Sequence, residues 1–138
     1  MANGNARQRL EGAQAGQSLA ELAVVLVLLL FLTFGIIDAG RLIFAYNMVS
    51  SSARDGVRWA VVRGSASGQV ATADDIKTFV KNRIVGIPVD VTVTWNPNND
   101  PGGSVAVKVQ SQWAPSVLFP MVPTSITLAS TSQMVISR

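Results

Sequence analysis

The chain has 138 residues, of which 49% are apolar and only 14% are charged, and its formal net charge is +3. It contains no cysteine and no histidine, which excludes disulfide bonds, thiolate catalysis and the commonest zinc ligand and general base. The basic residues form no run, so the positive charge does not predict a nucleic-acid partner.

Residues 1–16 are polar and rich in glycine and alanine, with no apolar periodicity. We predict that they form a disordered leader on the cytoplasmic side of a membrane, where its two arginines follow the positive-inside tendency. Three arginines beyond the apolar segment count against this orientation when charge alone is considered: Arg41, Arg54 and Arg58.

The apolar segment that follows is the most extreme feature of the chain. Sixteen consecutive residues from Leu22 to Ile37 carry no charge, and apolar character extends to about Leu19 and Tyr46. As a helix the central run would be roughly 24 Å long, and with its flanks it reaches the roughly 30 Å of a hydrocarbon core. The segment therefore predicts a membrane-spanning helix.

A cleaved secretory signal is the main alternative, because a basic leader and an apolar segment are both present. It requires small residues before the cut, whereas a cut after Gly40 would place Asp38 at the third position before it. An uncleaved signal anchor is a further alternative.

The residues around the start of the apolar segment resemble a known processing site. The leader ends at Gly16, and Glu21 would be the fifth residue of a chain cut between Gly16 and Gln17. This arrangement resembles type IV prepilins. Two polar steps follow, namely Gly35, Asp38, Gly40 and Arg41, and then Ala53, Arg54, Gly56, Arg58 and Ala60. From roughly Gly16 to Ala60 the chain resembles the TadE-like pseudopilins of tight-adherence pilus systems.

The resemblance implies a structural minor pilin with a role in cell adhesion or secretion. A prepilin peptidase would trim it in the inner membrane, and an assembly platform would incorporate it with other pilin subunits into a pilus or its base or tip. The resemblance also implies a cytoplasmic N-terminus, an extracytoplasmic head, and pairing of Glu21 with the new amine of Gln17. The alternative is a membrane-anchored exported domain that binds a partner and does not polymerise. Neither needs a cofactor.

Beyond the membrane we predict that the helix continues as a stalk, from Ser18 to Arg63 in all. Its apolar stripe has helical spacing and comprises Leu42, Tyr46, Val49, Ala53, Val57 and Ala60. Two acid–base pairs three residues apart predict exposed ion pairs or contacts with neighbouring subunits: Asp38 with Arg41, and Asp55 with Arg58. Gly35 and Ala39 form a small-x-x-x-small pair that would allow close helix contact.

The remaining residues predict a small head. A second helix from about Ala73 to Val85 starts with a capping box of Thr72 and Asp75, and its apolar stripe comprises Ile76, Phe79, Val80 and Ile84. Alternation of period two then predicts three strands, near Val89–Trp95, Val105–Trp113 and Ser125–Ser137. The third strand should present one apolar face, consisting of Ile126, Leu128, Met134 and Ile136.

Residues 114–123 are apolar and rich in proline, so they cannot form a central strand. We predict that they cover an end of the core, with an exposed partner-binding loop as the alternative; the apolar side chains concerned are Val117, Leu118, Phe119, Met121 and Val122. The three tryptophans are predicted core or rim residues: Trp59, Trp95 and Trp113.

The predicted fold is α+β and pilin-like, with a long N-terminal helix packed on a small antiparallel sheet of about three strands. Residues 1–16 form the leader, 17–63 the transmembrane and stalk helix, and 64–138 the head. No enzyme is predicted, because no serine has a visible activating base. The carboxylates are scattered apart from Asp74 and Asp75, so no metal site is predicted either.

Overall fold

The computed structural model describes residues 3–115 and 125–137, with side chains described from residue 16 onward. Its architecture is a long N-terminal helix, a short second helix and a three-stranded antiparallel sheet, which confirms the predicted α+β class. The elements in chain order are α1 (Asn3–Val61), α2 (Ala73–Arg83), β1 (Asp90–Asn96), β2 (Ser104–Trp113) and β3 (Ile126–Val135).

Helix α1 starts inside the predicted leader. It begins at Asn3 and continues to Val61, so the prediction of a disordered leader is wrong for residues 3–16. Despite its glycines, the leader contains four Ala, two Arg and two Gln, which have high helix propensity, and it has no proline to stop a helix. With 59 residues, α1 is about 90 Å long at 1.5 Å of rise per residue.

The last third of α1 packs one face against α2 and the sheet. The predicted stripe positions from Val49 to Ala60 are buried, and Leu42 is half-buried. The prediction that Tyr46 belongs to the buried stripe is wrong, because its side chain is exposed and Ala45 is buried in its place. Helical spacing alone did not separate these two, since they precede Val49 by three and by four residues.

Helix α2 begins with the predicted capping box. The Thr72 backbone N–H donates to the Asp75 carboxylate at 3.0 Å, and the Asp75 N–H donates to Thr72 Oγ1 at 3.2 Å. The helix ends at Arg83, slightly before the predicted end at Val85. The predicted apolar stripe faces the core: Ile76, Val80 and Ile84 are buried, and Phe79 is partly buried.

The sheet has the strand order β1-β2-β3, with β2 in the centre and both pairs antiparallel. Val107 is directly opposite Val93 in β1 and Ser132 in β3. Alternate residues of β2 are fully buried on the face that α1 covers: Val105, Val107 and Val109. The opposite face of β2 carries exposed or half-buried side chains, including Lys108. The alternation of apolar and polar residues along the strands therefore reflects a sheet with one covered face.

The predicted apolar face of β3 is only partly buried. Leu128 and Ile136 are buried, whereas Ile126 and Met134 lie near the strand ends and are 45% and 43% exposed. An edge strand leaves its ends less covered than a central one, which accounts for the difference. The predicted cover over an end of the core, Val117 to Val122, lies outside the described residues.

Backbone hydrogen bonds attach the end of α1 to the head. The N–H of Ser137 donates to the Val61 carbonyl at 3.2 Å, and the N–H of Ser65 donates to the Asn99 carbonyl at 2.8 Å. The predicted turn from Gly64 to Gly68 follows the helix. These bonds, with the buried face of α1, fix the direction in which the rest of the helix projects from the head.

Candidate functional site

The predicted processing segment lies inside α1. Gly16 and Gln17 are helical and exposed, and the Gln17 Nε2 donates a hydrogen bond to Glu21 Oε1 at 3.1 Å. Among the residues whose side chains are described, none has an atom within 4 Å of a Cβ added at Gly16. A glycine inside a helix lowers its stability by roughly 1 kcal/mol relative to alanine, so α1 is locally weakened at this position.

The apolar half of α1 has no cover within the described chain. The large apolar side chains from Leu19 to Leu32 are between 43% and 66% exposed. The helix from Gly16 to Val61 is long and apolar enough to cross a membrane, and none of its most apolar part is buried inside the protein. This fits the predicted membrane anchor.

Asp38 and Arg41 form the predicted pair at the end of the apolar run. Arg41 Nη1 lies 3.2 Å from Asp38 Oδ1. The interpretation as a fully exposed pair is wrong, however, because Asp38 is only 5% exposed. A buried carboxylate is stable when a cation and hydrogen-bond donors satisfy it, so the arginine stabilises the acid at this position.

The predicted small-residue contact of α1 involves Gly35 and Ala39. Gly35 lies one helical turn before Asp38, and Ala39 directly follows Asp38. Gly35 is half-buried and Ala39 is exposed. Gly40, which belongs to the same polar step as Gly35, has no atom of the described residues within 4 Å of its Cβ position. Small exposed residues leave room for a second helix to approach, and that contact between helices stays a prediction.

The second polar step contains two small residues of the predicted stripe and a third, Gly56, whose role in packing sequence reasoning missed. Ala53 and Ala60 are buried. A Cβ added to Gly56 would lie 2.6 Å from Val80 Cγ2 and 3.2 Å from Val107 Cγ1. Gly56 therefore lets α1 approach both α2 and β2 closely. The spacing of small residues by three and four along one helix face was the signal that could have identified it.

The charged residues of the same step point away from this packing. Arg54 is exposed, and its Nη2 donates to Ser50 Oγ at 2.9 Å within α1. The predicted pair of Asp55 with Arg58 is wrong, because Asp55 Oδ2 lies 3.2 Å from Arg83 Nη1 in α2, and Arg58 is exposed.

A stack of four side chains joins α1 to α2 on the surface of the head. The rings of Trp59 and Phe79 are stacked with centroids 5.0 Å apart. The Arg63 guanidinium lies 4.2 Å from the Trp59 centroid, and that of Arg83 lies 4.9 Å from the Phe79 centroid. A groove of about 440 Å³ beside this stack is lined by Trp59, Phe79 and Arg63 among others. Trp59 is partly buried at the edge of the core, as expected for a rim residue.

Within the described residues, no three acidic side chains come together in a way that could hold a metal ion. The arrangement offers instead an exposed apolar helix, a small-residue face and exposed arginines. These are features of association with lipid or with other helices.

One segment of the chain is similar to a known protein family. Residues 16–58 match the family described as TadE-like protein. The chain carries a TadE-like segment. The match covers less than a third of the chain, while the comparisons with curated proteins and with solved structures found no match.

The TadE-like segment begins at Gly16, the residue predicted to precede the cut, and ends at Arg58 in the second polar step. It agrees closely with the predicted extent from Gly16 to Ala60 and confirms the resemblance. The match indicates a protein associated with tight-adherence pilus systems. In structural terms the TadE-like segment comprises the apolar part of α1 and most of the part of α1 that packs on the head.

Proposed function

We propose that this protein is a structural minor pilin of a tight-adherence pilus, without catalytic activity. A prepilin peptidase cuts it between Gly16 and Gln17 while it spans the inner membrane with its head outside. An assembly platform then moves it from the lipid into a pilus or its base or tip, among other pilin subunits. The observation that carries this proposal is the uncovered apolar half of α1 in a chain with a TadE-like segment.

The exposed apolar surface of α1 requires two environments in succession. Lipid covers it in the membrane, where a helix of this length spans the hydrocarbon core with residues to spare. After extraction, neighbouring helices must replace the lipid, because an exposed apolar surface of this size is not stable in water. A helix that projects far beyond its head is suited to this exchange, since many copies can pack side by side.

Glu21 is the charged residue that takes part in the transfer of α1 from lipid into the pilus. A carboxylate inside the hydrocarbon costs about 3 kcal/mol or more, so an acid at this position needs a cationic partner. Cleavage after Gly16 creates a positive amine on Gln17, one helical turn from Glu21. In a bundle of low dielectric constant the pair attracts far more strongly than in water, and it would set the axial register of neighbouring subunits.

Mass spectrometry of the membrane-extracted protein tests the processing step. We expect the mature chain to begin at Gln17. Gly16→Leu should abolish cleavage, and Gly40→Leu is the matched control because both glycines lie in α1 with open space at the Cβ position. A chain that retains residues 1–16 in cells with an active prepilin peptidase would overturn the proposal.

The second candidate is a membrane-anchored domain that binds a partner without polymerising. The groove beside the stacked rings of Trp59 and Phe79 favours it, because aromatic rings and arginine are frequent at binding surfaces. Deletion of the gene separates the two functions. Loss of pili supports the minor pilin, whereas intact pili and an uncut leader support the anchored domain.

A further inference from the structure

The connection between α2 and β1 lies against α1 close to the end of the membrane-spanning segment. There it forms a groove of about 340 Å³, called the base groove here, which is lined by Arg41, Phe44, Val85, Ile87 and Trp113. Val85 is 77% exposed and Phe44 is 57% exposed. The left-handed backbone of Gly86, with φ of +78°, lets the chain turn between Val85 and Ile87.

The rise of α1 gives the depth of the base groove in a bilayer. Arg41 follows Glu21 by twenty residues, which corresponds to roughly 30 Å of helix and to the thickness of a hydrocarbon core. When Glu21 lies at one edge of the hydrocarbon, Arg41 therefore lies at the other. The headgroup layer extends about 5 to 7 Å further, or about four residues of helix, so Phe44 and the groove lie within it.

The side chains at this level suit a lipid headgroup layer. Trp113 provides an amphipathic ring of the kind that concentrates at membrane interfaces, and Phe44 and Val85 provide exposed apolar side chains beside it. Arg41 is 49% exposed and carries a cation at the same level, where it can contact lipid phosphate while it pairs with Asp38. Ile126, opposite Trp113 in the sheet, adds a half-exposed apolar side chain at this end of the head.

We propose that the base groove is a second membrane contact, in which Val85 and its neighbours lie in the headgroup layer of the bilayer that α1 spans. The head then rests on a phospholipid surface and does not stand clear of it. The apolar surface is continuous with the membrane-spanning part of α1, which is why lipid is the occupant. Because α1 is packed into the head, the contact fixes the orientation of the whole subunit relative to the bilayer surface, and it must break when the subunit leaves the membrane. The proposal rests on the membrane-spanning helix and does not depend on pilus assembly.

Single cysteine variants of the full chain test the contact, because the native sequence contains no cysteine. Val85→Cys is labelled with an environment-sensitive fluorophore and inserted into vesicles of phosphatidylethanolamine and phosphatidylglycerol. The vesicles also contain a doxyl-labelled lipid whose quencher lies just below the headgroups. Val70→Cys is the matched control, since Val70 is also an exposed valine but lies in the loop after α1. Its neighbour Ala71 donates its N–H to the Arg63 carbonyl, which places it at the level of Arg63, 19 residues or roughly 28 Å of helical rise beyond Phe44. Ile43→Cys is the positive control, within α1 at the level of the groove.

We expect blue-shifted emission and quenching at Val85 several times greater than at Val70 and similar to that at Ile43. Equal quenching at Val85 and Val70, with Ile43 quenched, would overturn the proposal. A blue shift at Val85 that grows with protein density and ignores the doxyl lipid would also overturn it, because a second copy would then be the occupant. Carbonate extraction reports insertion separately: a chain that is extracted from the vesicles overturns both this inference and the proposed function, whereas inserted protein without quenching overturns this inference alone.

Discussion

A Cβ atom placed on Gly56 would lie 2.6 Å from Cγ2 of Val80, so α1 and α2 meet where no side chain fits between them. Gly56→Ala must therefore displace α2 or the neighbouring strand. Overpacking of this kind costs about 1 to 3 kcal/mol, and the better helix propensity of alanine offsets about 1 kcal/mol of it. We expect a lower urea midpoint for the full chain in detergent, followed by tryptophan fluorescence.

Gly40→Ala is the control for this substitution, because it lies in the same helix and a Cβ there meets nothing within 4 Å. It should not lower the midpoint of the head, and the better helix propensity of alanine can only raise it. A second variant, Val80→Ala, removes the atom that the new methyl group would strike, so the double variant should lose less stability than the two single changes added together. Equal stability of Gly56→Ala and the native chain would show that the contact is looser than described.

The ion pair of Asp55 with Arg83 joins α1 to α2, and both side chains are about half exposed. We expect Asp55→Asn to lower the free energy of unfolding by no more than about 1 kcal/mol, since water and salt screen exposed pairs. Arg83→Ala should cost more than Asp55→Asn, because the same guanidinium also lies over the Phe79 ring, a contact worth about 0.5 to 1 kcal/mol. Arg58→Ala should have almost no effect.

Denaturant titrations at low and high salt check these values. The loss caused by Asp55→Asn should shrink as salt rises, whereas the part of the Arg83→Ala loss that comes from ring contact should persist. An Arg58→Ala variant as unstable as Asp55→Asn would instead support pairing within α1.

Asp75 gives the head a dependence on pH. Hydrogen bonds from the Thr72 side chain and backbone hold the pKa of Asp75 below its ordinary value of 3.8. Since the pKa is lower in the folded state, the stabilisation is fully present above pH 3.8 and is lost as the pH falls through the folded-state pKa. Thr72→Ala should raise the pKa of Asp75 towards 3.8 and weaken this acid dependence, which a carbon NMR titration of the carboxyl group would measure. Lys77→Ala is the control, and an unchanged pKa in Thr72→Ala would contradict the prediction.

Local patterns predicted the secondary structure of the head well. The capping box at Thr72 and the alternation around Val107 depend on neighbours within a few residues, so the sequence displays them directly. The same reasoning failed for Asp55. Its spacing from Arg58 permits a pair within α1, but α2 packs across the helix and brings Arg83 closer, from 28 positions away.

Two further misses have the same physical origin. Gly56 looked like one more residue of a family step, and only the approach of Val80 and Val107 reveals why a side chain is absent there. Asp38 was expected to be exposed because exposed acid–base pairs are common on helices, yet it is buried in the fold. Burial and close approach depend on elements distant in sequence, which periodicity does not report.

Substitution of Glu21 can distinguish the role of its charge from the role of its hydrogen bond. In the chain described here the Gln17 side chain donates to Glu21, so Glu21→Gln keeps an acceptor oxygen while removing the negative charge. If the new amine of Gln17 is the partner after cleavage, Glu21→Gln should insert and be cut normally but fail to enter the pilus. Immunoblots of sheared pili and of membranes measure the two pools.

Gln17→Ala is the matched control, because it removes the side-chain donor but leaves the amine that cleavage creates. It should assemble as the native chain does, since an ion pair in a bundle of low dielectric constant requires only the two charges. The opposite pattern, with Glu21→Gln assembled and Gln17→Ala excluded, would assign the role to the amide hydrogen bond. Glu21 would then stabilise the end of the helix and would not set the register between subunits.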